Sequence, residues 1–307
     1  MKKLPRTFYN PHRWLAFSLM MFMTLVVTSL FVGTNVSANH PVLVEGNCDS
    51  PVPGTTLVAP GTCGDFDGDG RIGTAEDTDG ADRIFGTIKA ALGPGTGAAA
   101  GTGANMNGTV TIVTSGRFAE DLFIGPGGGI SLGNVTLQAA PGVSADINAV
   151  LQGDPAGGNT TRQTSGVGIE ILSYSSDNRI ILRNLTIRNW ETAVRLSANA
   201  RVTIENCRLE GNLNYGIRLF NGTSITADKL RIASTGFRQG LPAPTVPSPG
   251  HAISFEGAST GSIYHSQITG SFGAAISNTG AGSVSYYEVF LSQNGAGIVG
   301  ATRDNTP

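Results

Sequence analysis

Apolar residues return at fixed intervals along the second half of this 307-residue chain. The segments Arg179–Ala200, Arg201–Thr223, Ser224–Thr260, Gly261–Gly282 and Ser283–Pro307 align on one another. Ile187, Leu209, Ile232, Ile268 and Leu291 fall in register. So do Leu185, Cys207, Leu230, Ser266 and Val289, and Leu182, Ile204, Ala227, Ile263 and Tyr286. A further apolar site follows a small residue at Ala193-Val194, Gly216-Ile217, Ala252-Ile253, Ala275-Ile276 and Gly297-Ile298. The period is about 22 to 23 residues, which is the mark of a solenoid whose repeats bury their apolar face only against their neighbours.

Within a copy the apolar spacing is two, as in Val202, Ile204 and then Cys207, Leu209. That is the period of a strand, not a helix. The odd step after Ile204 marks a corner, occupied by Asn206 and its counterpart Asn184. Asparagine tolerates the left-handed backbone that a tight corner needs. Three short strands and three corners per copy predict an all-β fold, a parallel β-helix. The pattern resembles the right-handed β-helices of the pectin-lyase-like superfamily over residues 179–298 and, more loosely, 109–178. A leucine-rich repeat is the alternative for Leu182-Arg-Asn-Leu185-Thr-Ile187-Arg-Asn189, but the other copies lack that signature.

Upstream, Thr109–Val113, Leu122–Ile124, Val135–Gln138 and Gly168–Leu172 read as strands. Arg83–Leu92 carries Ile84, Phe85, Ile88 and Leu92 at near-helical spacing, predicting a short helix that caps the N-terminal end of the solenoid. Residues 93–108 form a Gly/Ala/Thr-rich loop. Pro242, Pro244, Pro247 and Pro249 mark a loop thrown out between the second and third strands of one copy.

The N-terminus changes the compartment. Lys2, Lys3, Arg6 and Arg13 precede an apolar run, Trp14–Val32, and then a Val36-Ser37-Ala38 cleavage signature. Residues 1–38 read as an export signal, with a retained membrane anchor as the alternative because the apolar run is long. Residues 39–82 form a collar, and 83–307 the β-helix with its cap helix. The expected location is extracellular, at the cell surface or in the periplasm, with membrane contact only through the leader. Removing residues 1–38 takes away four basic residues and no acid, which lowers the formal charge from −2 to about −6. This is no footprint for nucleic acid. Charged residues are 14% of the chain against roughly 25% in ordinary domains, which suits a turn-rich β protein.

In an oxidising compartment Cys48 and Cys63 are natural disulfide partners, with two free thiols as the alternative. Cys207 falls on an apolar position and reads as a buried, free thiol.

One metal motif is complete. Asp65, Asp67 and Asp69 alternate, Gly70 permits a sharp turn, the carbonyl of Arg71 follows, and Glu76 closes the loop. Ca²⁺ takes about six to eight oxygens, which this spacing converges on one point. The loop resembles those of EF-hands and dockerin modules. Only a partial second copy follows at Asp77, Asp79 and Asp82, and the Pro/Gly-rich segment before it is no entering helix. The expected role is one structural Ca²⁺ in the collar.

Enzymatic signatures are sparse. The pectin-lyase-like resemblance implies polysaccharide lyases, hydrolases or epimerases, yet neither an Asp-Asp pair nor a Gly-His-Gly occurs. Two arginine pairs occupy equivalent outward positions on adjacent coils: Arg195 with Arg218, and Arg208 with Arg231. Spaced about 4.8 Å apart, they suit the carboxylates of a uronate chain; solvated arginines paired with acids such as Glu205 or Glu210 are the alternative. His251 and His265 read as corner or loop residues. The leading expectation is a non-catalytic protein presenting a rigid face to a polysaccharide or cell-surface partner. The alternative is a pectate-lyase-like lyase or epimerase acting on an acidic polysaccharide. The last apolar strand ends near Ile298, followed by a polar tail, and self-association through that coil is expected.

Overall fold

The computed structural model describes residues 42–45, 52–53, 83–85, 87–92, 108–126, 133–149, 166–173, 175–236, 249–300 and 303–304. The leader, Cys48, Cys63 and the calcium loop Asp65–Glu76 lie outside them.

Seven successive coils each supply three strands, one to each of three sheets. The first coil holds β4 (Gly108–Ile112), β5 (Gly116–Phe118) and β6 (Leu122–Ile124). The second holds β7 (Val135–Ala139), β8 (Ala145–Asn148) and β9 (Val167–Ser173). The third has β10 (Arg179–Arg183), β11 (Leu185–Arg188) and β12 (Thr192–Ala198), and the fourth β13 (Arg201–Glu205), β14 (Arg208–Glu210) and β15 (Tyr215–Leu219). Then come β16 (Ser224–Asp228), β17 (Arg231–Ala233) and β18 (His251–Phe255), followed by β19 (Thr260–Tyr264), β20 (Gln267–Thr269) and β21 (Ala274–Asn278). The seventh coil comprises β22 (Val284–Tyr287), β23 (Phe290–Ser292) and β24 (Ala296–Gly300). Every pairing between coils is parallel and each coil stacks on the one before. This is an all-β parallel β-helix.

The stacked rows seen in the sequence are physical ladders. Leu182, Ile204, Ala227, Ile263 and Tyr286 are successive partners in the first sheet. Ile187, Leu209, Ile232, Ile268 and Leu291 are partners in the second. Val194, Ile217, Ile253, Ile276 and Ile298 are partners in the third. These rows converge on one core that runs the length of the coils.

The corners explain the odd steps. Asn184 and Asn206 have φ of 58° and 51°, and the corner repeats at Lys229, His265 and Glu288. Asn206 Nδ2 donates to Asn184 Oδ1 at 2.9 Å, so the corner asparagines form a short ladder of their own. From the third coil onward, the corner after each second-sheet strand is also left-handed, at Asn189, Gly211, Ser234, Gly270 and Gln293. The third-sheet strands need small residues where they begin. A Cβ on Gly216 would stand 2.5 Å from the Ala252 carbonyl oxygen, and one on Gly168 would meet the Ala193 carbonyl at 2.8 Å.

The cap differs from its sequence reading. Arg83–Phe85 is a strand, β3, and only Ile88–Leu92 forms helix α1. A strand at β1 (Val42–Val44) pairs in parallel with both β3 and β4, so the Arg83–Phe85 backbone bonds are satisfied in the sheet. Strand β2 (Val52–Pro53) adds an antiparallel edge. α1 still covers the coil end, because Ile88, Ala91 and Leu92 are fully buried in the core. Glu120 caps it, its carboxylate accepting from the Ile88 and Lys89 amides at 3.0 and 2.7 Å.

At the other end β24 runs on to Gly300, and Arg303–Asp304 forms β25, parallel to β22. This corrects the reading of that segment as a plain polar tail.

Candidate functional site

The third sheet places a charged row on the outside of the solenoid. Alternation along each strand turns Ile169 and Ile171 inward and Glu170 outward, and does the same for Arg195 between Val194 and Leu196. Parallel register then stacks Glu170, Arg195, Arg218 and Ser254 one coil apart.

Arg195 Nε and Nη2 both donate to Glu170 Oε1, at 3.1 and 2.5 Å. Arg218 makes a bidentate bond to Glu256, Nε to Oε1 at 2.8 Å and Nη2 to Oε2 at 3.2 Å. Its guanidinium also lies 4.7 Å from the Tyr215 ring centre and 4.5 Å from that of Phe220. Such planar stacking plus a forked carboxylate bond fixes an arginine far better than a lysine would be fixed. The Glu256 bond holds Arg218 above its usual pKa, against the opposing effect of burial.

Around this row opens a cavity of about 460 Å³, lined among others by Lys89, Asp121, Glu170, Glu191, Arg195 and Arg218. Lys89 comes from the cap helix and pairs with Asp121 at 2.7 Å. Glu191 accepts from Asn214 Nδ2 at 2.8 Å. Three cations and three carboxylates therefore face one hollow, which presents both donors and acceptors to a ligand.

Beside the arginine stack, Tyr215 and His251 are register partners with ring centres 6.2 Å apart. His251 begins strand β18, which corrects its reading as a corner or loop residue. Its Nδ1 accepts from the Ala274 amide at 2.9 Å. Burial lowers the His251 pKa, and Glu256 partly opposes this. Burial raises the Tyr215 hydroxyl pKa, partly offset by Arg218.

The second sheet carries the other row: Arg117, Asp146, Thr186, Arg208, Arg231 and Gln267. Asp146 is nearly buried and pairs with Arg188. Arg208 pairs with Glu210. Two shallow cavities of about 530 Å³ each meet at Thr186 and Arg208.

Both arginine pairs are thus stacked as the repeat predicts. Glu210 is the partner of Arg208, whereas Glu205 bonds Arg183 at 2.6 Å. Glu170, Glu191, Tyr215 and Glu256 carry no signal in the sequence beyond their place in the repeat. His265 does sit at a corner, with φ of 43° and Nδ1 2.6 Å from Asp228 Oδ1. Cys207 is free and buried, and burial pushes its thiol up to about 12. The calcium ligands Asp65, Asp67, Asp69, Arg71 and Glu76, and the pair Cys48 and Cys63, lie outside the described residues.

No curated protein and no solved structure matches the chain significantly. The family described as the right handed beta helix region matches residues 122–294, from the third strand of the first coil to the last corner of the seventh. On this match and the coil geometry, the chain belongs to the right-handed β-helix family.

Proposed function

We infer that this is an exported, non-catalytic β-helix protein that binds a carbohydrate on its side faces. The observation that carries this reading is the hollow on the third sheet, where carboxylates and cations face one space and coil register stacks Glu170, Arg195 and Arg218. Hydroxyl groups of a sugar accept from one and donate to the other. Tyr215 supplies an aromatic surface beside them. The arginines here are already neutralised by Glu170 and Glu256, which favours a hydroxyl-rich ligand over a carboxylate. The export leader and a structural Ca²⁺ held by Asp65, Asp67, Asp69, Glu76 and the Arg71 carbonyl belong to the same reading.

The test is calorimetry of the mature protein against neutral and uronate oligosaccharides. Saturable binding is expected, weakened at least tenfold by Arg218→Ala. No heat with any glycan overturns the reading.

The Tyr215–His251 pair beside Arg218 favours a second reading, a lyase or epimerase acting on an acidic polysaccharide. Absorbance of unsaturated products across a panel of uronans, with and without Ca²⁺, separates the lyase from binding alone. Product formation abolished by Tyr215→Phe would establish the lyase.

A further inference from the structure

Parallel register stacks two arginine pairs on the outside of the solenoid, and their charges are balanced differently. In the third sheet Arg195 opposes Arg218, and each has its own carboxylate, Glu170 and Glu256. In the second sheet Arg208 opposes Arg231. Here Arg208 donates Nε and Nη2 to Glu210 Oε1, the first at 3.0 Å. Arg231 donates the same two groups to Gln267 Oε1 at 3.3 and 3.1 Å. Gln267 is a neutral carboxamide, so only Arg208 of the two guanidiniums has a carboxylate partner among the described residues. Among the described residues, Asp146 in the same row is already taken by Arg188.

Like charges directly opposite on adjacent strands weaken a sheet. The excess is local, because the whole chain has a formal charge of −2. Both arginines line one shallow cavity with Ser144, Thr186, Asn184 and Asn206. Thr186 stands in the same row, one coil before Arg208. Neither Arg208 nor Arg231 uses Nη1 in a hydrogen bond among the described residues. A row of hydroxyl and guanidinium donors with one positive charge in excess is the chemistry that recognises an oxyanion.

We propose that the Arg208–Arg231 step is an oxyanion site that takes an acidic substituent, sulfate or carboxylate, of a polymer lying along the second sheet. It rests on the carbohydrate reading only for what carries the anion; the site itself is tested with inorganic sulfate. The experiment is a sulfate titration of the full chain, observed at the arginine Nε–Hε resonances, with ionic strength held constant by chloride. Saturable shifts are expected at Arg208 and Arg231. Arg231→Gln weakens sulfate binding at least fivefold, Arg231→Lys weakens it less, and Arg201→Gln on the first sheet leaves it unchanged. Circular dichroism establishes that each variant is folded. Uniform, non-saturating shifts at all arginines, or a folded Arg231→Gln with unaltered affinity, would overturn the site. A sulfated and a uronate oligosaccharide are then compared with free sulfate, and the true carrier binds at least tenfold tighter. Equal affinity for all three would overturn the assignment to a polymer while leaving the third-sheet reading to its own glycan titration.

Discussion

Two single residues illustrate how the fold uses and tolerates local chemistry. Lys229 occupies the left-handed corner that asparagine fills in the two coils before it, at φ 53°. A non-glycine, non-asparagine residue there costs about 1 kcal/mol. Lys229→Asn is expected to stabilise the protein by up to about 1 kcal/mol, a rise in melting temperature of roughly 2–4 °C read by circular dichroism. Cys207 makes the opposite kind of statement. Its thiol is pushed from 9.0 to about 12, chiefly by burial. The folded state therefore keeps a proton that the unfolded chain loses above pH 9, so stability falls as pH rises from 9 towards 12. The slope due to this group is at most about 1.4 kcal/mol per pH unit. Urea unfolding at pH 8 and pH 10 should show this loss in the wild type and its absence in Cys207→Ala. An equal loss in both proteins would assign the effect to other groups.

At the scale of elements, the cap is the point where sequence and structure part most. α1 has five residues, too few to be stable alone, and it persists because Ile88, Ala91 and Leu92 enter the core and Glu120 ties its first amides. Burial raises the Glu120 pKa even though those amides favour the carboxylate. Glu120→Ala is expected to cost about 1 kcal/mol, with faster hydrogen exchange at Ala91 than in the wild type. Unchanged exchange would mean that apolar packing alone holds the cap. The helical spacing of Arg83–Leu92 misleads because a strand partner for Arg83–Phe85 comes from Val42–Val44, far away in the chain. The strands β5 and β8 also escaped notice, since β5 opens Gly116-Arg117 before its single buried residue and β8 lacks alternation, being buried throughout. By contrast, the five repeated copies reveal coils three to seven, because a period-two pattern repeated in register leaves little freedom. The same register exposes both arginine pairs. Their acids Glu170 and Glu256 stay hidden, as each follows a long insertion that breaks the count, before β9 and before β18.

The solenoid is asymmetric from one end to the other. Its N-terminal end is covered by α1, while Tyr286, Val289, Leu291 and Ile298 in the seventh coil are only partly buried. The large exposed apolar side chains among the described residues, Phe272, Phe290 and Val299, all lie in the last two coils, at 59%, 60% and 46% exposure. Large apolar side chains left exposed near one end of the solenoid favour contact there. With the opposite end covered by α1, association through the last coils is expected to join like ends and to close at a pair instead of growing into a fibre. Sedimentation is expected to show a concentration-dependent dimer that Phe290→Lys weakens without lowering the melting temperature. A strict monomer over a wide concentration range would contradict this.

The one-coil-upon-the-next arrangement also decides how the protein yields to force. Each coil is held mainly by the two beside it, so a chain pulled from its ends has no long-range tie resisting everywhere at once. Among the described residues the seventh coil has a neighbour on one side only, apart from the two residues of β25, and it is the natural place for rupture to begin. Tension should then unzip the solenoid in sequence towards the cap. Each step releases about 80 Å of contour, the extended length of roughly 22 residues, with longer steps where a coil carries an insertion.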